Sequence, residues 1–254
     1  TYHSDVVNKG LAGYAYRPTA LAALHRADRV VATSDNYLYS SPLLQSFMQR
    51  TGPGVSQVRV IPLGISEASC QAARAEAEAI SVQLRFGLPA SPFLLFLGGL
   101  RGYKGLPTLL AAVRGTPIPL VVAGDGDARL AREIAQLAAD QDTVHWIGRV
   151  SEAEKMALLR DCAGVVLPSD LRSEAFGLIL VEAAMHARPM ISCEIGTGTS
   201  WVNLNGETGI VVPPRDPNAL HEAMEQLITN PELARNLGVA ARRRYEQYFS
   251  GEAL

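Results

Sequence analysis

The sequence predicts an α/β chain built on a doubly wound parallel sheet, and three observations carry that prediction. Short runs of Val, Ile, Leu and Phe recur, each stopping at Gly, Pro or Ser. Stretches with an apolar period of about 3.6 residues separate them. The runs lack the polar alternation of a half-exposed strand, so helices are expected on both faces of the sheet.

In chain order, strands are expected at 29–33 (RVVAT), 58–63 (VRVIPL), 93–98 (FLLFLG), 119–124 (PLVVAG), 143–148 (TVHWIG), 164–169 (GVVLPS), 189–193 (PMISC) and 209–213 (GIVVP). Between them, KGLPTLLAAVRG reads as a helix, and DARLAREIAQLAAD sets Leu130, Ile134, Leu137 and Ala138 on one face. SEAEKMALLRD opens with Ser151 and Glu154, the pattern of a capping box. Residues 1–62 form a first part too short to bury a core of its own, and 63–68 a linker. Residues 69–230 form one doubly wound domain, with 231–254 a helix appended to it. There is no internal repeat and no low-complexity tract.

Composition narrows the class. The chain has 254 residues, 48% hydrophobic and 19% charged, with a net charge of −2. That balance is ordinary for a globular protein and gives no electrostatic reason for a nucleic-acid partner. The densest basic run, Arg242-Arg243-Arg244, reads as a solvated helix face or as a contact for phosphates or an anionic membrane. Cys70, Cys162 and Cys193 form no CxxC pair and no metal-ligand spacing, which suggests a reducing compartment such as the cytosol. The apolar runs fall short of the roughly 18 residues a membrane helix needs. The first residue is threonine, so further sequence is expected upstream.

Ligands of doubly wound sheets sit at the carboxyl ends of the strands, and four loops there carry unusual residues. LGGLRGYKGL offers glycines for close backbone approach, with Arg101 and Lys104 just before a helix. It reads as an anion site or as a turn with two solvated cations. AGDGDARL resembles a dinucleotide fingerprint, but Arg129 occupies the third glycine position and no acidic residue ends the next strand. Asp125 and Asp127 are expected as turn and helix-cap residues.

The third loop, SDLRSEAFGLILVEAAMHARP, is the most informative. Glu182 falls inside an apolar helix, where an unpaired carboxylate is costly. Glu174 precedes it by eight residues, which at about 1.5 Å per helical residue predicts a separation of roughly 12 Å. Such a pair would flank a diphosphate resting on the helix N-terminus at Phe176-Gly177-Leu178; two structural glutamates are the alternative. The fourth loop, EIGTGTSWVN, reads as a wall of a sugar pocket or as a plain turn.

On these residues the sequence resembles family 4 of the glycosyltransferases, retaining enzymes with two Rossmann-like domains (the GT-B arrangement). SEAFGLILVEA is similar to that family's Glu-x7-Glu motif, LGGLRGYKG to its phosphate loop and GETGIVVPPRDPNAL to its closing segment. The wording around these motifs is similar to bacterial mannosyl- and rhamnosyltransferases that build O-antigen and other surface polysaccharides, usually from GDP-sugars. The resemblance implies a donor domain preceded by an incomplete acceptor domain whose glycine-rich beginning lies upstream.

It also implies roles. Glu174 would hold the sugar hydroxyls near the anomeric carbon, and His3 would face the donor from the acceptor side. Glu182 would bind the ribose, and Lys104 would neutralise the diphosphate. The family's loop arginine falls on Gly99 here, with Arg101 as its substitute. Phe176, Gly177 and Leu178 would contact the diphosphate or sugar through backbone amides, and Gly148, Arg149 and Val150 would receive the base. No metal or other cofactor is expected. The expected partners are a nucleotide-sugar donor and a lipid-linked or oligosaccharide acceptor, with peripheral association at the cytoplasmic membrane face. The readings weighed against this one are a non-catalytic nucleotide-sugar-binding module, an NAD-dependent oxidoreductase and a sugar-nucleotide epimerase.

Overall fold

The computed structural model describes residues 1–2, 10–51 and 57–253. All eight expected strands are present: β1 Val30–Ala32, β2 Val58–Val60, β3 Leu94–Leu97, β4 Leu120–Ala123, β5 Val144–Gly148, β6 Gly164–Leu167, β7 Met190–Cys193 and β8 Gly209–Val212. Several of their ends are trimmed at a proline, which cannot continue a ladder, as at Pro119, Pro168, Pro189 and Pro213. After β2, Ile61 still donates its N–H to Ala32 (2.9 Å), and Pro62 then ends the pairing.

β3 to β8 form one parallel sheet in the order β5-β4-β3-β6-β7-β8. The chain therefore builds outward from β3 in one direction, then returns to its other side with β6. The carboxyl ends of β3 and β6 mark the topological switch point, where such sheets hold ligands. Side chains alternate across the sheet: Leu95, Val121, Val165 and Met190 point to one layer, and Leu94, Phe96, Val122 and Ile191 to the other. The second layer is closed by α6 (Leu106–Val113), α7 (Ala128–Asp140) and α11 (Pro217–Thr229). The first is closed by α4 (Gln71–Ala77), α5 (Val82–Phe86), α8 (Glu152–Asp161) and α9 (Leu178–Met185).

The last helix, α12 (Pro231–Tyr248), is more than an appendage. Its Ala234 and Leu237 pack into one layer, and Ala241, Tyr245 and the following Phe249 into the other. Tyr245 and Phe249 are fully buried, and each such side chain contributes roughly 1.5–3 kcal/mol through the apolar surface it removes from water. The crossing between layers falls at Gly238, where a Cβ would stand 2.2 Å from the Ala187 carbonyl oxygen. Only glycine lets the helix lie this close to the turn after α9.

The basic run on this helix is only in part a solvated face: Arg243 is exposed, while Arg242 and Arg244 are engaged by the protein. Arg242 pairs with Glu67 (2.6 Å) and Glu246 (2.7 Å) and donates to the Met185 carbonyl. Arg244 stacks on Trp201, Tyr248 and Phe249 and donates to the Trp201 carbonyl (2.6 Å). The 63–68 segment is tied down by the same helix: Ile65 N–H donates to Phe249 (2.9 Å), and the Tyr245 hydroxyl to the Ile65 carbonyl (2.7 Å).

The first part of the chain carries α1 (Gly10–Arg26), α2 (Asp35–Ser40) and α3 (Pro42–Thr51) around the parallel pair β1–β2. Short as it is, it has a small core of its own. Val30, Ala32, Tyr37, Leu38, Leu44 and Phe47 are buried there, and Ala175 of the second domain packs against them. Among the described residues, no helix is long and apolar enough to cross a membrane.

Candidate active site

The loops that follow β3 and β6 meet at the switch point. Gly105 makes the meeting possible: its φ is +71°, and a Cβ there would lie 1.8 Å from the Pro168 carbonyl oxygen. Lys104 ends a short 3-10 turn, Gly102–Lys104, and reaches across to pair with Glu174 in the opposite loop. Glu174 is buried at 9% exposure and is held from three directions. The Ser169 hydroxyl donates to its carboxylate (3.1 Å), the Thr197 hydroxyl to its carbonyl (2.8 Å), and its own N–H to Leu171 (3.0 Å).

Both expected carboxylates line one cleft of about 470 Å³, together with Leu63, Leu97, Gly98, Lys104, Phe176, Gly177 and Leu178. A helical rise over all eight residue steps from Glu174 to Glu182 does not hold. α9 begins only at Leu178, with Gly177 before it in the left-handed conformation (φ +79°), so Glu174 lies on irregular backbone. The first-turn residues Leu178 and Ile179 line this cleft, and helix first-turn N–H groups lack intrahelical partners; that of Leu180 donates to the Gly177 carbonyl (2.8 Å). Phe176 is buried by its ring, which packs on Trp201 and edge-on against Phe249, so it offers the cleft mainly its backbone. Leu178 is 46% exposed at the mouth.

Glu182, on α9, pairs with Lys155 of α8, which also pairs with Glu152 at 2.7 Å. Burial alone would push the Lys155 ammonium down, but its hydrogen bonds to Glu152 and Glu182 outweigh that and hold its pKa above the ordinary lysine value. His186, a turn further on, is pushed below the ordinary histidine value by burial, so it stays neutral at pH 7. Cys162 and Cys193 are pushed by burial to about 12, which leaves two inert thiols.

None of the other expected residues among the described ones is part of the cleft lining. Gly99 and Arg101 are exposed, and neither is part of the lining; the Arg101 Nε lies 3.7 Å from where a Gly99 Cβ would sit. Gly148 (φ +68°) accepts from the Gly124 N–H at 2.7 Å. Arg149 is solvent-facing and pairs with Asp125 (3.0 Å), while Val150 packs on the core. Asp127 caps α7 by accepting from the Arg129 and Leu130 N–H groups. His3 lies outside the described residues, although Tyr2 just before it pairs its N–H with Val31 (2.8 Å) beside β1.

Sequence reasoning missed several members of this arrangement. Lys155 gave no local signal, because its partner stands 27 residues away. Ser169 ends an expected strand and opens the third loop, but the sequence assigns it no role. Thr197 belongs to the loop left between pocket wall and plain turn, and it holds Glu174. Arg172 donates to the Ser40 hydroxyl (3.0 Å) and the Gly196 carbonyl (2.7 Å), and lies over the Tyr37 ring. With the Asn36–Ser200 hydrogen bond (3.1 Å), it joins the first part of the chain to the loops beside the cleft. Among the described residues there is no group of three or more His, Cys, Asp or Glu placed to hold a metal.

Comparison with known proteins fits this geometry. A family profile described as glycosyl transferases group 1 matches residues 85–244, the stretch that contains every element around the cleft except Leu63. The chain is 41% identical over 251 residues to D-rhamnosyltransferase WbpZ of Pseudomonas aeruginosa, covering 98% of this chain and 63% of that protein. It is 39% identical over 256 residues to O-antigen chain mannosyltransferase C of Escherichia coli, covering 100% of this chain and 65% of that protein. It thus spans just under two thirds of the length of these relatives.

Among solved structures, sucrose-phosphate synthase of Thermosynechococcus elongatus superposes with a TM-score of 0.77 at 27% identity, over 99% of this chain and 63% of that one. The Anabaena protein HepE, solved with UDP and glucose, superposes with a TM-score of 0.76 at 17% identity, over 98% of this chain and 66% of that one, a likeness of fold. The chain has the GT-B type of architecture and belongs to the group 1 glycosyltransferases.

Proposed function

We propose that this chain forms the donor-binding region of a retaining hexosyltransferase. It moves a mannose-like sugar from a nucleoside-diphosphate donor, GDP-linked, to a growing surface glycan. The observation that carries the reading is the cleft at the switch point, where Lys104, Glu174, Glu182 and the first turn of α9 share one space. A cation and a helix N-terminus side by side suit a diphosphate, and two carboxylates suit the hydroxyl-rich groups at its two ends. The names of the two relatives, a rhamnosyl- and a mannosyltransferase, favour a hexosyl donor of that kind.

In this reading Lys104 and the α9 amides neutralise the departing diphosphate, and Glu182 takes the ribose hydroxyls. Glu174 holds the sugar beside its anomeric carbon. The acceptor attacks from the face the diphosphate leaves, and a diphosphate oxygen receives the acceptor proton. The protein then needs orientation and fixed positive charge rather than a nucleophile. The same cations do the work a divalent metal would do, so transfer proceeds without one. Arg101 reaches the diphosphate only when its loop and the two parts of the chain close over the donor. The acceptor is a lipid-linked glycan met at the cytoplasmic face of the membrane.

The test is a thermal-shift screen of GDP-, UDP- and ADP-sugars against the full-length protein, followed by transfer assays with and without a chelator. GDP-mannose or GDP-rhamnose should raise the melting temperature most, and chelation should leave the rate unchanged. A protein stabilised by none of these donors would contradict the reading, and a rate abolished by the chelator would remove its metal-free part.

A further inference from the structure

We infer that Lys155 is a positioning residue that sets Glu182 to receive the ribose of the donor. The inference rests on the donor-site reading above and deepens it. Glu182 lies on a helix whose neighbouring residues Val181, Ala183 and Ala184 are buried, and its own side chain is only 15% exposed. A carboxylate in that position must be paired or pushed out of its ionised form. Lys155 supplies the pair through one carboxylate oxygen, Oε1. Among the described residues no protein group donates to Oε2, and the cleft is what Glu182 lines.

The lysine is itself placed with little freedom. α8 starts at a complete capping box, in which the Ser151 N–H donates to Glu154 (2.8 Å) and the Glu154 N–H to the Ser151 hydroxyl (3.2 Å). Arg85 pairs with Glu154 from α5 (2.7 Å), and Lys155 is the next residue along. Its ammonium spans Glu152, which is 72% exposed, and Glu182, which is enclosed. α8 also follows directly on Gly148, Arg149 and Val150. One rigid element thus carries both the loop beside the expected base and the cation that orients the carboxylate expected at the ribose.

The test uses calorimetric binding of GDP and of 2′,3′-dideoxy-GDP to the full-length protein, with UDP and its dideoxy form as the second probe pair. Wild-type protein should bind the ribose form more tightly than the dideoxy form. Lys155→Met should weaken binding of the ribose form about tenfold, the scale of one charge-assisted contact, and leave the dideoxy form unchanged. Lys155→Arg should recover most of the loss. The dideoxy arm reports whether the variant is folded and its phosphate site intact. A Lys155→Met protein that loses both ligands in proportion, or neither, overturns the inference. Wild-type protein that binds no nucleoside diphosphate overturns the donor reading instead, and one that binds both forms equally removes the ribose from Glu182.

Discussion

Two lysine–glutamate pairs border the same cleft and differ in what holds them. Lys104–Glu174 and Lys155–Glu182 are almost equally enclosed, at 15%/11% and 14%/15% side-chain exposure. The first pair joins two loops across the switch point, and its glutamate has a second donor in Ser169. The second joins two helices, and its lysine has a second acceptor in Glu152. If a diphosphate draws Lys104 away, Glu174 keeps a hydrogen-bond partner. If a ribose reaches Glu182, Lys155 has no reason to leave. On the proposed reading, one pair exchanges when the donor binds and the other stays. Similar burial does not imply similar use.

The largest effect expected of this difference is at Lys104. Lys104→Ala should slow transfer by about 10²-fold or more, the usual cost of deleting one fixed donor to developing charge. Steady-state kinetics of the full-length protein would measure it, and a near-wild-type rate would make the two pairs equivalent bystanders. Glu182→Gln should instead raise the donor KM about tenfold while kcat changes little, because it removes a contact made equally before and during transfer. A fall confined to kcat would reverse the assignment.

Ser169→Ala tests the exchangeable pair more finely. It removes the donor that remains to Glu174, and kcat/KM should fall by about tenfold, near the low end of the worth of one hydrogen bond to a charged group. The smallest effect is on the fixed pair's foundation. The Ser151 backbone hydrogen bond, with Arg85, holds the Glu154 carboxyl below its ordinary 4.5. A lowered acid contributes stability that is complete above pH 4.5 and is lost as pH falls through the lower native value. Glu154→Gln, which can keep the capping hydrogen bond and loses only the charge, should therefore cost about 0.5 kcal/mol near neutrality and flatten the acid limb of a denaturation series below pH 4.5. An unchanged acid limb would show that α8 is seated by packing alone.

The sheet was readable in the sequence because strand cores buried on both faces leave an unbroken apolar run, as in LLFL and LVVA. Glu182 was readable as a carboxylate inside an apolar helix, Glu174 by its spacing from Glu182, and Lys104 as a cation in a glycine-rich turn before a helix. Their partners were not. Lys155 and Ser169 are ordinary residues for an exposed helix face and a strand end, and only the tertiary fold brings them to a carboxylate. The role of α12 was hidden for the same reason: Arg242 and Arg244 look solvated until Glu67 and Trp201 are set beside them. Gly238 and Gly105 likewise acquire meaning only from the backbone that approaches them.

The account turns on where the diphosphate lies, so the most direct measurement is a crystal structure of the full-length protein with GDP-mannose. It should show the diphosphate on Lys104 and the first turn of α9, Glu174 detached from Lys104, and the ribose on a Glu182 still paired with Lys155. A nucleotide bound elsewhere, or seated with the Lys104–Glu174 pair intact, would contradict it.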